Sequence, residues 1–232
     1  MNAHFLDYYL VLRLRHGDRD RAADVEAIVV ERFTRHHDFS TTGLDSASWT
    51  PSGVGWWSSA ALSRTMRLDP DLLARVVPAA RSSAESAYRR LGGGQLPTEA
   101  VLRTYFQDHQ PFATAAPLRL GPAHPPAGFH ERRVYRVLFA KDLRADQVAG
   151  LRASWRTPSG DTTGSAASGH LEKDGDRITW ELRRVGHTLA WGLDVTVLLR
   201  TGAAEVVGPT LSGLTNVLRQ HGLVPVSTER FS

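Results

Sequence analysis

The chain has 232 residues, 41% of them hydrophobic and 22% charged, enough for one large core or two small ones. It has no cysteine, which excludes disulfides, thiolate metal sites and a cysteine nucleophile. No run approaches the roughly 20 apolar residues of a membrane helix, and Met1-Asn2-Ala3-His4 lacks a basic segment leading into an apolar one, so the expected location is cytoplasmic, away from any membrane.

Residues 5–15 alternate, with Leu6, Tyr8, Leu10, Leu12 and Leu14 on one face and Tyr9, Val11, Arg13 and Arg15 on the other, the pattern of a half-buried strand. Over 21–35 the apolar set Ala22, Val25, Ile28, Val29 and Phe33 has helical spacing and predicts a helix. Residues 36–55, rich in Ser, Thr, Gly and Asp, read as a long loop. Alternation returns over 56–68 and predicts a second strand, with Ser63, Thr65 and Arg67 on its polar side. Asp69-Pro70 then marks a helix start, and Pro78 is expected to kink or split that helix before it stops at Gly92-Gly93-Gly94. A short helix is expected within 97–106.

Residues 107–130 contain five prolines and form the expected connection between an N-terminal half (1–106, β-α-β-α) and a C-terminal half (131–232). In the second half a strand is expected over 134–140 and a helix over 145–155. The small, polar stretch 157–169 reads as a loop, and 170–184 as a hairpin turned by Asp174-Gly175. A long strand follows with Leu189, Trp191, Leu193, Val195, Val197 and Leu199 on one face, then a helix carrying Leu211, Leu214, Val217 and Leu218, and a final strand. The order β-α-β-β-β-α-β is that of a ferredoxin-like split βαβ with one strand added. The predicted fold class is α+β: antiparallel sheets with helices on one face, as two ferredoxin-like halves closing a two-sheet barrel or as one large sheet.

The +4 charge and pI near 9.8 invite a nucleic-acid reading. Only Lys141 and Lys173 among the 28 basic residues are lysine, a skew that points to a GC-rich genome. The basic excess is spread along the second half and forms no stripe, so nucleic acid is the less favoured partner.

A sheet with helices on one face leaves the other for a ligand or partner. On that face the alternation places Tyr9, Arg13, Arg15, Arg67, Arg183 and Thr196 as substrate-binding candidates, with Glu181 and Asp194 as candidate acid–base carboxylates. His36-His37-Asp38 and Asp108-His109-Gln110 set histidine beside a carboxylate. His187 reads as a turn residue, and no histidine pair has a familiar zinc spacing, so neither metal nor cofactor is expected. The leading expectation is a small-molecule-binding, cofactor-independent enzyme working in a polar cavity between two sheets. The alternatives are a non-catalytic protein-interaction or homodimerisation module of a multicomponent bacterial system, and an RNA-binding or metal-free RNA-cleaving protein. Ferredoxin-like sheets host all three.

Overall fold

The computed structural model describes residues 6–13, 24–113, 121–122, 124–156, 164–186 and 190–231. They form two compact units, Met1–Arg35 with Thr42–Ala113, and His36–Thr41 with Thr114–Ser232. The class is α+β: two antiparallel sheets and, among the described residues, six helices.

The first unit comprises β1 (Asp7–Leu12), β2 (Val25–Arg35), β3 (Thr41–Trp49), β4 (Trp57–Ser58), α1 (Ala60–Leu68), α2 (Pro70–Arg75), β5 (Val76–Ala79), α3 (Arg81–Arg90), α4 (Glu99–Arg103) and β6 (His109–Pro111). Its sheet runs β4-β3-β2-β1-β5, and β6 also pairs with β3. This corrects the expected β-α-β-α order in three places. The stretch predicted as a helix is β2, an 11-residue strand from residue 25. Ile28, Val29 and Val30 are all fully buried, so both faces of β2 are covered and the period-2 signal is erased. The predicted loop 36–55 contains β3, whose small polar residues are buried in place of apolar ones. Of the predicted strand over 56–68 only Trp57–Ser58 is extended, and α1 follows with Ala60, Ser63, Met66 and Arg67 buried at helical spacing.

Pro78 divides what was expected as one helix more completely than a kink would. It lies in β5, an edge strand opposite Tyr9 of β1, where the N–H it lacks is not needed by a second neighbour. Asp69 caps α2 as expected, its Oδ1 accepting from Asp71 N at 2.9 Å and Leu72 N at 3.2 Å.

One face of this sheet packs Tyr8, Ile28, Val30, Ala47 and Trp49 against Ala84 and Tyr88 of α3 and Leu102 of α4. On the other, α1 meets the sheet through hydroxyls. Ser48 donates to Ser59 at 2.7 Å, Ser63 donates to Ser46 at 2.6 Å, and Ser46 and Ser59 share a bond of 2.9 Å. All four serines are buried.

The second unit is β7 (Glu131–Ala140), α5 (Ala145–Ser154), β8 (Ala167–Lys173), β9 (Asp176–Arg184), β10 (Ala190–Leu199), α6 (Val207–Gln220) and β11 (Val224–Phe231), the element order expected. Its sheet runs β11-β7-β10-β9-β8, every pair antiparallel. Each sheet has two end strands, so neither closes on itself and the expected barrel is not formed. The β8–β9 turn has Asp174 at φ 55° and Gly175 at φ 87°, the two left-handed residues of a type I′ hairpin. Alternation then sets the core. Tyr135, Val137 and Phe139 of β7, Ile178 and Leu182 of β9, and Leu193, Val195, Val197 and Leu199 of β10 face Leu151 of α5 and Leu211, Leu214 and Leu218 of α6. Each such side chain contributes on the order of 1.5–3 kcal/mol by leaving water. The intervening residues of β7, β9 and β10 therefore point to the face without helices.

Candidate functional site

That second face carries the polar residues of the alternation in register. Asp194 of β10 lies between Arg136 of β7 and Glu181 of β9, and Thr196 lies between Val134 and Thr179. Asp194, Glu181, Thr196, Thr179 and Val134 line a half-open groove of about 220 Å³, to which Arg132 and Gly121 also contribute. Four of the sequence-predicted residues, Glu181, Asp194, Arg183 and Thr196, are thus brought onto one face of one sheet.

Their roles differ. Asp194 Oδ1 accepts from Arg136 Nε at 2.6 Å, and Oδ2 accepts from Arg136 Nη2 at 3.0 Å and from Arg183 Nε at 2.8 Å. The fork geometry fills both oxygens with cationic donors. Hydrogen bonding to Asp194 is in turn the main cause of a raised Arg136 pKa. With both oxygens taken by protein donors, Asp194 organises the face and holds Arg183 and Arg136 in place. Arg136 is fixed from a second side, its guanidinium lying 5.3 Å from the centroid of the Phe231 ring. Glu181, one strand over, is solvent-exposed beside the two threonine hydroxyls. Glu229 of β11, opposite Arg136, is a second exposed carboxylate on this face, but Glu181 is the one that lines the groove, where it can exchange a proton or accept a ligand's hydrogen bond.

The remaining predicted residues lie elsewhere. Tyr9 is fully buried in the first unit, so it cannot serve as an open contact there. Arg67, expected on a strand face as an anion clamp, lies on α1 and is buried against Glu31. Nη1 donates to Glu31 Oε2 at 3.1 Å and to Ser63 O at 2.7 Å, and Nη2 pairs with Glu31 Oε1. The guanidinium also sits 5.2 Å from the Phe33 ring centroid and 6.0 Å from that of Tyr9. Burial alone would lower its pKa, yet Glu31 carries it above the ordinary value. Arg67 is therefore spent on holding α1 to the sheet. Arg13 is exposed just beyond β1, its N–H donating to Asp24 O at 2.8 Å. Arg15 and His187 fall outside the described residues.

Two features escaped the sequence. Arg132 and Arg136 alternate with the core residues of β7, and that alternation was the available signal. In the first unit, Asp45 of β3 accepts from Arg32 Nη2 at 2.6 Å and shares a 2.8 Å bond with His109 Nδ1 on β6. The imidazole lies over Gly43, where an added Cβ would come within 2.4 Å of the ring. A carboxylate-oriented, half-exposed histidine can relay protons. With β3 read as a loop, nothing in the sequence connected Asp45 to His109. Among the described residues no group of three His, Asp or Glu side chains is arranged to hold a metal, and no helix is long and apolar enough to cross a membrane.

The chain matches no protein-family model, no curated protein and no solved structure.

Proposed function

We propose that the protein binds a small polar molecule on the open face of its second sheet, with Glu181 as the acid–base or ligand-contacting carboxylate and Asp194 as the residue that fixes the face. The carrying observation is the register that sets Glu181, Thr179 and Thr196 side by side on the groove while Arg136 and Arg183 neutralise Asp194. The strand order β11-β7-β10-β9 supports the ferredoxin-like description of this unit, with β8 as the added strand.

Size limits the ligand. A groove of about 220 Å³ lies below the range of roughly 300–1,000 Å³ usual for drug-sized ligands. It suits a molecule of a few heavy atoms, or one end of a larger one. Hydroxyls beside an exposed carboxylate favour a ligand that donates hydrogen bonds, such as a polyol or an amine.

Native mass spectrometry of the purified protein, followed by calorimetric titration with the molecule it retains, tests this. Binding that Glu181→Gln and Thr196→Val each weaken, with the fold unchanged, is the expected result. Undiminished binding in both variants would place the ligand elsewhere and sink the assignment.

A further inference from the structure

The end strand β8 supplies a second surface, independent of what the groove binds. The hydrogen-bond phase of its ladder follows from two places. Lys173 pairs with Asp176 across the two-residue Asp174-Gly175 turn, and the residues flanking such a turn form a close hydrogen-bonded pair. At the far end of β9, Val185 N donates to Ala190 O at 3.0 Å, so odd-numbered β9 residues bond toward β10 and even-numbered ones toward β8. Both observations give the same phase. Leu171 bonds inward to Ile178, and the backbone N–H and C=O of His170 and Glu172 point away from the sheet.

The side chains along this edge are also outside. His170, Leu171, Glu172 and Lys173 are consecutive exposed residues, and Leu171 is an exposed large hydrophobic at 39%. The strand contains neither proline nor bulge, the devices that blunt an uncovered edge. β5, at one end of the other sheet, does carry a proline.

We infer that β8 pairs with β8 of a second copy of this chain, antiparallel about a two-fold axis at Leu171, joining two five-stranded sheets into one. The outward groups allow few registers. With the axis at Leu171, that residue faces its own copy in a non-hydrogen-bonded pair, where side chains approach most closely. His170 then faces the partner subunit's Glu172 in a hydrogen-bonded pair, and symmetry makes the same pair twice. With the axis at His170 instead, imidazole would face imidazole and Glu172 would face only Ser168. Side-chain complementarity, an imidazole N–H donor against a carboxylate acceptor made twice by symmetry, therefore selects the Leu171 register, and an isologous strand pair is the occupant that meets it. Glu172 already accepts from Arg177 Nε at 3.0 Å, so in the pair it would lie between two basic side chains.

Sedimentation equilibrium across the micromolar range reads the association directly. The wild-type chain is expected to show a concentration-dependent dimer. His170→Glu, which sets carboxylate against carboxylate twice, is expected to weaken it about tenfold or more. The double variant His170→Glu/Glu172→His restores the opposed pair and with it the dimer, which separates register from folding. His170→Pro removes an outward N–H while the bonds to β9 stay in place, and it is expected to give a monomer. A wild-type chain that stays monomeric throughout overturns the inference. So does a dimer indifferent to His170→Glu and His170→Pro, which would place the interface on another surface. Far-ultraviolet circular dichroism of each variant confirms that β8 still forms. Ligand retention in the groove is scored separately, so failure of one assignment leaves the other standing.

Discussion

Replacing Arg67 by Met should be among the most damaging single changes in the first unit. Arg67 and Glu31 have side-chain exposures of 3% and 0%, so neither charge recovers water when its partner is removed. Met keeps the length of the aliphatic stem, and it deletes the guanidinium donors to Glu31 and to Ser63 O together with the cation's contacts with the Phe33 and Tyr9 rings. What remains is a buried carboxylate with its main counter-charge gone. Breaking a buried pair from one side costs about 3–5 kcal/mol, most of it for the stranded ion and not for the lost bond. The double variant Arg67→Met/Glu31→Leu removes both charges and should recover most of that loss. Urea titration followed by tryptophan fluorescence and circular dichroism measures both. A single variant costing under about 1 kcal/mol, or a double variant no better than the single, would show that Glu31 finds solvation the buried geometry does not provide.

Asp194→Asn is expected to lose about 1–2 kcal/mol through the half-buried Arg136 and Arg183 contacts, whereas exposed Glu181→Gln should stay within about 0.5 kcal/mol of wild type. Denaturant midpoints compare the two, and the reverse ranking would exchange the roles assigned to them. Gly169→Val should destabilise the second unit by about 1–3 kcal/mol, because its Cβ would fall 2.6 Å from the Trp180 ring. Its thermal melting reads this, and an unchanged melt would mean that the indole moves freely. Acid stability should also respond to Glu131. Its hydrogen bonds from Arg133, with help from Arg230, hold its carboxyl below the ordinary value. A depressed carboxyl stabilises above its unfolded value of about 4.3 and loses that contribution as pH falls through the folded one. Stability measured between pH 6 and pH 3 should therefore fall less steeply in Glu131→Gln, and parallel curves would exclude the linkage.

The two units were not equally legible. In the second, one face is covered by α5 and α6 and the other is polar, so Leu193-Asp194-Val195-Thr196-Val197 prints its alternation in the sequence, and Asp174-Gly175 announces the turn. Glu181, Asp194, Arg183 and Thr196 were therefore placed on one face correctly. Which carboxylate was open was not legible, because that depends on β7 supplying Arg136 across the sheet, 58 residues away in sequence. In the first unit the sheet is covered on both faces. Ile28, Val29 and Val30 are buried together, and their spacing imitates a helix as well as a strand. β3 fails the other way: its buried Ser46 and Ser48 resemble loop composition until Ser59 and Ser63 are seen beside them. Arg67 followed its element, since reading α1 as a strand turned a buried ion-pair partner into an open clamp.

The seam of four serines between α1 and β3 constrains how this sequence can drift. Each hydroxyl is partner to another, so replacing one by alanine strands a buried neighbour at a cost of about 1–3 kcal/mol, while exchanging the set for apolar residues of similar shape can be nearly neutral. The polar and apolar versions of this seam are separated by a valley of weaker intermediates. Lineages crossing it need a reserve of stability elsewhere or near-simultaneous substitutions, so the four positions should change as a group.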